Sequence, residues 1–231
     1  MLSVDSNQPW PAGYMINANN TVISPDMLET YRGMPSAIIS DCLGRNIGGL
    51  GLKPFHGNRH MCGRALTVRV RPGDNLMILK AIQLSQPGDV LVIDGSGDMT
   101  RAVIGGIMRA MAIKAGIVGV VVNGAIRDAD DWLEGNLPVY ALGCVHRGPS
   151  TDGSGEINVT VSCAGLVVQP GDLVVGDSDG VVAISPSELA SVTERCGDLL
   201  DREAKILQSI NTDTLDPNRF DDLLRSKGCP I

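Results

Sequence analysis

The apolar positions along this chain change period several times, and each change marks an element. Ser24 offers an N-cap ahead of Pro25 at the first helical position and Gly33 supplies a stop, so the pattern predicts a helix between them. Pro35 opens a second short helical run through Ile38, Ile39 and Leu43. From Cys62 to Arg71 the period drops to two: Leu66, Val68 and Val70 alternate with Thr67, Arg69 and Arg71, which predicts a strand with one wet face. A helix at 75–84, a strand at 89–94, a helix from about 102 to 115 and a strand at 117–123 follow, an α/β organisation.

The second half reads differently. Gln86-Pro87-Gly88-Asp89 and Gln169-Pro170-Gly171-Asp172 begin alike, each a Pro-Gly pair suited to a type II turn that feeds a β-rich run. Strand-like runs at 138–142, 157–168, 173–177 and 181–184 favour a barrel-like or layered mixed sheet over a doubly wound one. Ser185-Pro186-Ser187-Glu188 has the form of a capping box and predicts a helix to about Ser209, with a stripe of Leu189, Val192, Cys196, Leu199, Ile206 and Ile210. A short helical run holds Phe220, Leu223 and Leu224. Residues 1–23 are polar and turn-rich, an arm for the surface or for a neighbouring subunit. The expected organisation is an arm (1–23), an α/β core (24–184) and a C-terminal helical extension (185–231).

Composition narrows the function classes. The 231 residues are 43% hydrophobic, enough for one sizeable core. A net charge of -7 supplies no broad basic face for nucleic acid. Six cysteines without a CxxC pair, and only His56, His60 and His146 to join them, argue for reduced cytoplasmic thiols and against a zinc site. Neither a signal-like N-terminus nor an apolar run of membrane-spanning length is present, so a soluble protein without a membrane partner is expected.

The candidate chemistry lies in Gly106 followed, after twenty residues, by Arg127-Asp128 and then Asp131. A glycine turn, a cation and a carboxylate cluster are the parts that hold a divalent metal and a small anionic substrate. Gly95-Ser96-Gly97 starts like a dinucleotide fingerprint but has Thr100 where the third glycine belongs, so it reads as a tight turn between strand and helix. Gly105-Gly106 interrupts a helix pattern at a cost of on the order of 1 kcal/mol per glycine relative to alanine. Such a cost fits a helix that starts there and turns its free N–H groups to a carboxylate, or close helix packing. Arg127 and Asp128 fall just past a strand's carboxyl end, where α/β proteins gather ligands. Of Asp130 and Asp131, one could serve only to cap the helix that Trp132 enters. His146-Arg147 lies in a Gly/Ser-rich loop within reach of a substrate, but reads better as a solvated loop. Glu203 interrupts the apolar stripe of the long helix: it stands at the edge of a contact or has a metal or arginine partner, or the seam drifts to Leu200 and Leu207 and leaves it exposed.

Several stretches together resemble the family of the regulator of ribonuclease activity A and the class II 4-hydroxy-4-methyl-2-oxoglutarate / 4-carboxy-4-hydroxy-2-oxoadipate aldolases. They are Cys62-Gly63-Arg64-Ala65-Leu66-Thr67, Pro87-Gly88-Asp89-Val90, Gly105-Gly106 with Arg127-Asp128 and Asp131, Asn158-Val159 with Cys163-Ala164-Gly165, and Pro170-Gly171-Asp172 through Asp179-Gly180. The resemblance implies an α/β/β sandwich of the swivelling type, assembled as a homotrimer or a pair of trimers. It implies Mg²⁺ or Mn²⁺ on Asp128, substrate held by Arg127 and by backbone groups of Gly105, Gly106, Ile107 and Met108, Asp131 in a catalytic part, and Glu203 reaching the metal of an adjacent subunit. The aldolase pattern has aspartate where this chain has Gly106, whereas the regulator-like branch has glycine there with an acidic residue at the place of Asp131. The activity implied is a metal-dependent pyruvate-releasing lyase on 2-oxo diacids, by retro-aldol cleavage or oxaloacetate decarboxylation. The competing implication is a non-catalytic protein that regulates a ribonuclease E-type activity by contact.

Overall fold

Parallel strands joined through helices carry the centre of the molecule, and the ladders between them decide where the polar residues meet. A computed structural model describes residues 9–45 and 48–231; residues 1–8 of the arm lie outside the described residues. In chain order the elements begin Tyr14–Ile16 (β1), Pro25–Tyr31 (α1), Ser36–Cys42 (α2), Lys53–Pro54 (β2), Met61–Val70 (β3), Leu76–Leu84 (α3), Asp89–Ile104 (β4), Gly106–Ala115 (α4) and Gly119–Ile126 (β5). They continue with Ala129–Glu134 (α5), Val139–Cys144 (β6), Gly155–Ile157 (β7), Val161–Cys163 (β8), Leu166–Val168 (β9), Leu173–Gly176 (β10), Val181–Ile184 (β11), Leu189–Asn211 (α6) and Arg219–Ser226 (α7).

Among the described residues, nine strands form one sheet with the path β1-β7-β3-β4-β5-β6-β2, extended by β10 on β3 and β11 on β10. The run β3-β4-β5-β6 is parallel. At its centre β4 begins as a continuous apolar run, with Val90, Leu91, Val92 and Ile93 all at 0% exposure, because both faces are covered there. On one face Ile78, Ala112 and Trp132 of α3, α4 and α5 pack with Leu91 and Val122. On the other, Val161, Cys163, Leu166 and Val168 of the β8-β9 hairpin pack on Val90, Val92 and Val121. A third cluster joins Tyr31, Ile39, Val192 and Cys196 of α1, α2 and α6 to Leu173, Val175 and Val182. Helices, main sheet and hairpin are the layers of the α/β/β sandwich, with the long helix α6 behind it.

Local signals held in several places. Ser24 Oγ accepts the Met27 N–H at 3.3 Å, as an N-cap should, and Gly33 takes φ +81° just after α1. Tyr14–Ile16 of the arm pairs in parallel with β7.

Four expectations are corrected. The turn at Gly95 and Gly97 is a bulge inside β4: the chain turns at Ser96 (φ +59°) and Gly97 (φ +72°), then rejoins β5 with register shifts and stays extended to Ile104. The helix expected from about 102 therefore starts at Gly106. The single run at 157–168 is the end of β7 followed by the β8-β9 hairpin, which reverses at Ala164 and Gly165, both at positive φ. The capping box does not form, because Ser185 Oγ lies 2.9 Å from Ser187 Oγ and α6 begins at Leu189.

Candidate active site

The spacing of twenty residues between Gly106 and Arg127 is the length of one strand-helix-strand crossover. Strands β4 and β5 run parallel and remain paired to Ile104 and Ile126, so the residues after each emerge side by side. The Arg127 N–H donates to the Ile104 carbonyl at 3.1 Å and extends the register by one step. Gly105 then caps α4 in an extended conformation, and Asp128 caps α5 in the left-handed region with φ +58° and ψ +50°. Aspartate is among the few residues that tolerate this conformation.

The left-handed turn aims the Asp128 side chain back at α4. Its Oδ2 accepts the Gly106 N–H at 2.8 Å and stands 3.8 Å from Arg127 Nε. A carboxylate is thus seated on the positive end of α4 beside a guanidinium, and both side chains stay open to solvent, at 45% and 40% exposure. A β-carbon on Gly105 would lie 2.6 Å from Asp128 Oδ2, and one on Gly106 would lie 2.5 Å from Asp131 Oδ2 and 3.4 Å from Asp128 Oδ2. The glycine pair therefore makes room for two carboxylates that converge on the first residue of the helix. Below them, Trp132 is fully buried and its Nε1 donates to the Arg127 carbonyl at 3.0 Å, which fixes the backbone of the arginine.

The first bond within α4 runs from the Arg109 N–H to the Gly105 carbonyl at 2.9 Å. The Gly106 N–H is engaged by Asp128, so the amides of Ile107 and Met108 are the ones at this terminus left without an intrahelical acceptor. A cavity of about 170 Å³ opens here, lined by Asn75, Leu79, Ile107, Met108, Arg127 and Pro149 among others. Its size suits a molecule of a few carbon atoms with one anionic group for Arg127.

Of the expected site residues, the fold gathers Gly105, Gly106, Ile107, Met108, Arg127, Asp128 and Asp131. Glu203 is not among them within this chain. It is exposed on α6, and its side chain has no hydrogen-bonding or ionic partner among the described residues. Around it, Leu200, Leu207 and Ile210 are 38%, 60% and 50% exposed, so the stripe that is buried at Leu189, Val192 and Cys196 opens to solvent beyond them. His146 and Arg147 are exposed, as expected of a solvated loop. The sequence reading missed Asn75 and Pro149. Asn75 Nδ2 donates to Met108 Sδ at 3.3 Å, but before α3 it looked only like a helix start.

The side-chain ligands that converge here are carboxylate oxygens, the donor type that Mg²⁺ and Mn²⁺ prefer. Asp128 and Asp131 fit such an ion. Among the described residues no three His, Cys, Asp or Glu side chains meet.

A layered α/β/β core with an arginine and paired carboxylates at the carboxyl ends of its parallel strands defines a protein of the swivelling-domain type. The chain belongs to the RraA-like family: the family model described as Aldolase/RraA matches residues 36–183. A Halalkalibacterium halodurans protein named "Putative 4-hydroxy-4-methyl-2-oxoglutarate aldolase" is 42% identical over 74% of this chain and 81% of its own. The 4-hydroxy-4-methyl-2-oxoglutarate aldolase of Thermus thermophilus is 33% identical over 57% of this chain and 80% of its own. Among solved structures, an uncharacterized Pseudomonas syringae protein superposes with a TM-score of 0.73 at 28% identity, covering 83% of this chain and 95% of that one. The RNA-processing inhibitor RraA from Thermus thermophilus does so with 0.60 at 30% identity, covering 65% and 92%. No helix among the described residues is long and apolar enough to cross a membrane.

Proposed function

We propose that this protein is a divalent-metal-dependent carbon-carbon lyase that releases pyruvate from 2-oxo diacids. The observation that carries the reading is the convergence of Asp128 and Asp131 on Gly106 with Arg127 beside them. Arg127 would fork the substrate carboxylate, and the Ile107 and Met108 amides would add donors from the helix terminus. Asp128 and Asp131 would hold Mg²⁺ or Mn²⁺. When bound, the metal would polarise the 2-oxo group and offset the negative charge that develops as the C3–C4 bond breaks. Asp131, exposed on its outer side, would orient a water for proton transfer.

Oxaloacetate decarboxylation is the less demanding reaction, since it needs no base to take a proton from a C4 hydroxyl. Retro-aldol cleavage of 4-hydroxy-4-methyl-2-oxoglutarate is supported by the names of the relatives. Glu203 would complete the site across a homotrimer or a pair of trimers, a reading supported by its free carboxylate and the unsealed apolar residues around it.

Pyruvate release from both substrates, with Mg²⁺ or Mn²⁺ and with EDTA, tests the proposal. Asp128→Asn is the matched variant, because asparagine also accepts the left-handed backbone. Metal-dependent release that is lost in Asp128→Asn is expected; an unchanged rate in the variant rules this site out. The second reading, a contact regulator of a ribonuclease E-type activity, is favoured by the likeness to the RNA-processing inhibitor. It predicts no turnover and capture of the ribonuclease in a pull-down.

A further inference from the structure

One wall of the cavity is built by residues outside the family motif. The segment 147–153 is fastened to its surroundings at almost every residue. The Ala102 N–H donates to the Arg147 carbonyl at 2.8 Å, and Arg101 Nη1 to the Gly148 carbonyl at 2.9 Å. The Ser150 N–H donates to the Gly73 carbonyl at 2.9 Å, and the Asn75 N–H to the Ser150 carbonyl at 3.0 Å. Thr151 Oγ1 donates to Asn75 Oδ1 at 2.8 Å.

The anchor is Asp74, at 0% exposure. Its Oδ2 accepts from Ser150 Oγ at 2.7 Å, the Gly153 N–H at 2.8 Å, the Asp152 N–H at 3.0 Å and Arg71 Nη2 at 3.3 Å. A buried carboxylate with that many donors is a rigid joint, since freeing any one of them would leave a buried charge or donor unsatisfied.

Gly148 stands on this rigid segment against the Arg127 guanidinium. A β-carbon on it would lie 2.9 Å from Arg127 Nη1 and 3.9 Å from Cζ. Its φ is not in the left-handed region, so alanine fits the backbone and the glycine is there for space. Pro149, the next residue, lines the cavity together with Arg127. Of the two partners, the arginine tip is free to yield and the latched segment is not.

We propose that the 147–153 segment, latched on Asp74, is a positioning wall for Arg127, and that the missing side chain at Gly148 sets where the guanidinium points. Gly148 and Asp74 are positioning residues; Arg127 makes the contact with the anion. The inference rests on the proposed function only for what Arg127 holds, and the geometry stands apart from it.

The test uses Gly148→Ala, with oxalate in the presence of Mg²⁺ as a small planar dianion probe. Oxalate binding should weaken on the order of tenfold while thermal stability stays unchanged. In an Arg127→Ala background, where the clash partner is gone, Gly148→Ala should add no further loss. Equal loss in both backgrounds, or none in either, overturns the proposal. Crystal structures of the wild type and Gly148→Ala keep it testable if oxalate binds to neither: a guanidinium that has not moved overturns it, and a displaced one supports it whatever the chemistry of the site. Absence of oxalate binding to the wild type would count against the lyase reading alone.

Discussion

Asp131 Oδ2 stands 2.5 Å from the point a β-carbon on Gly106 would occupy, so the two positions share one volume. A side chain on the first residue of α4 and a carboxylate at 131 exclude each other in this arrangement. This is the physical content of the resemblance, in which an acidic residue is found at one place or the other.

Gly106→Asp should therefore crowd Asp131 with a second charge and destabilise the protein by about 1–2 kcal/mol. Adding Asp131→Ala should recover most of that loss. Chemical denaturation of the single and double variants measures it, and equal stabilities for the two would show that the volumes are independent.

Trp132 holds the site from below. Trp132→Ala should cost about 3–5 kcal/mol through the lost packing. Trp132→Phe should cost about 1 kcal/mol, because most of the packing stays and the bond to the Arg127 carbonyl goes. The denaturation midpoints give both values, and a Phe variant as unstable as the Ala variant would contradict the split.

Acid should unfold the protein through two buried carboxylates. Burial pushes the Asp74 and Asp177 carboxyls up, but their donors outweigh it and hold both below the ordinary aspartate range. For Asp177 the donors include the Ser36 N–H at 2.7 Å and Ser36 Oγ at 2.6 Å. A folded-state value below the unfolded one gives stability that is complete above the unfolded value and is lost as pH falls through the folded value. Stability should decline from about pH 5 downward, and the Asp74→Asn and Asp177→Asn variants should decline less steeply there while being less stable at neutral pH. Parallel curves for wild type and variants would exclude these two groups as the cause.

The outer half of α6 supplies a test of assembly. If a neighbouring subunit covers Leu207 and Ile210, the double replacement Leu207→Asp and Ile210→Asp should lower the mass measured by light scattering to that of one chain of 24.3 kDa. An unchanged mass would place the interface elsewhere.

Legibility in the sequence followed the range of the interactions involved. Ser24, Pro25 and Gly33 act within one turn, so α1 could be read directly. The pairing of Gly105-Gly106 with Arg127-Asp128 was readable because a parallel crossover has a characteristic length. The passage from Asp94 to Ile104 was not, since Gly95, Ser96 and Gly97 suit a turn and a bulge equally and only the ladder to β5 tells them apart. Gly148 and Asp74 were invisible for a related reason: their partners Arg127 and Ser150 are 21 and 76 residues away along the chain. Glu203 looked anomalous because the stripe it interrupts is apolar, and the fold leaves Leu200, Leu207 and Ile210 beside it exposed.

The six cysteines are all unpaired, and they sit at graded depths. Cys144 is exposed, while Cys163 and Cys196 have no exposure at all and burial raises both of their thiols, that of Cys196 to about 12. Cys163 lies in the hairpin layer and Cys196 on the buried face of α6, in separate clusters. An alkylating reagent thus meets a built-in clock with independent hands: Cys144 marks reagent access, Cys163 records the hairpin lifting from the sheet, and Cys196 records α6 leaving the body.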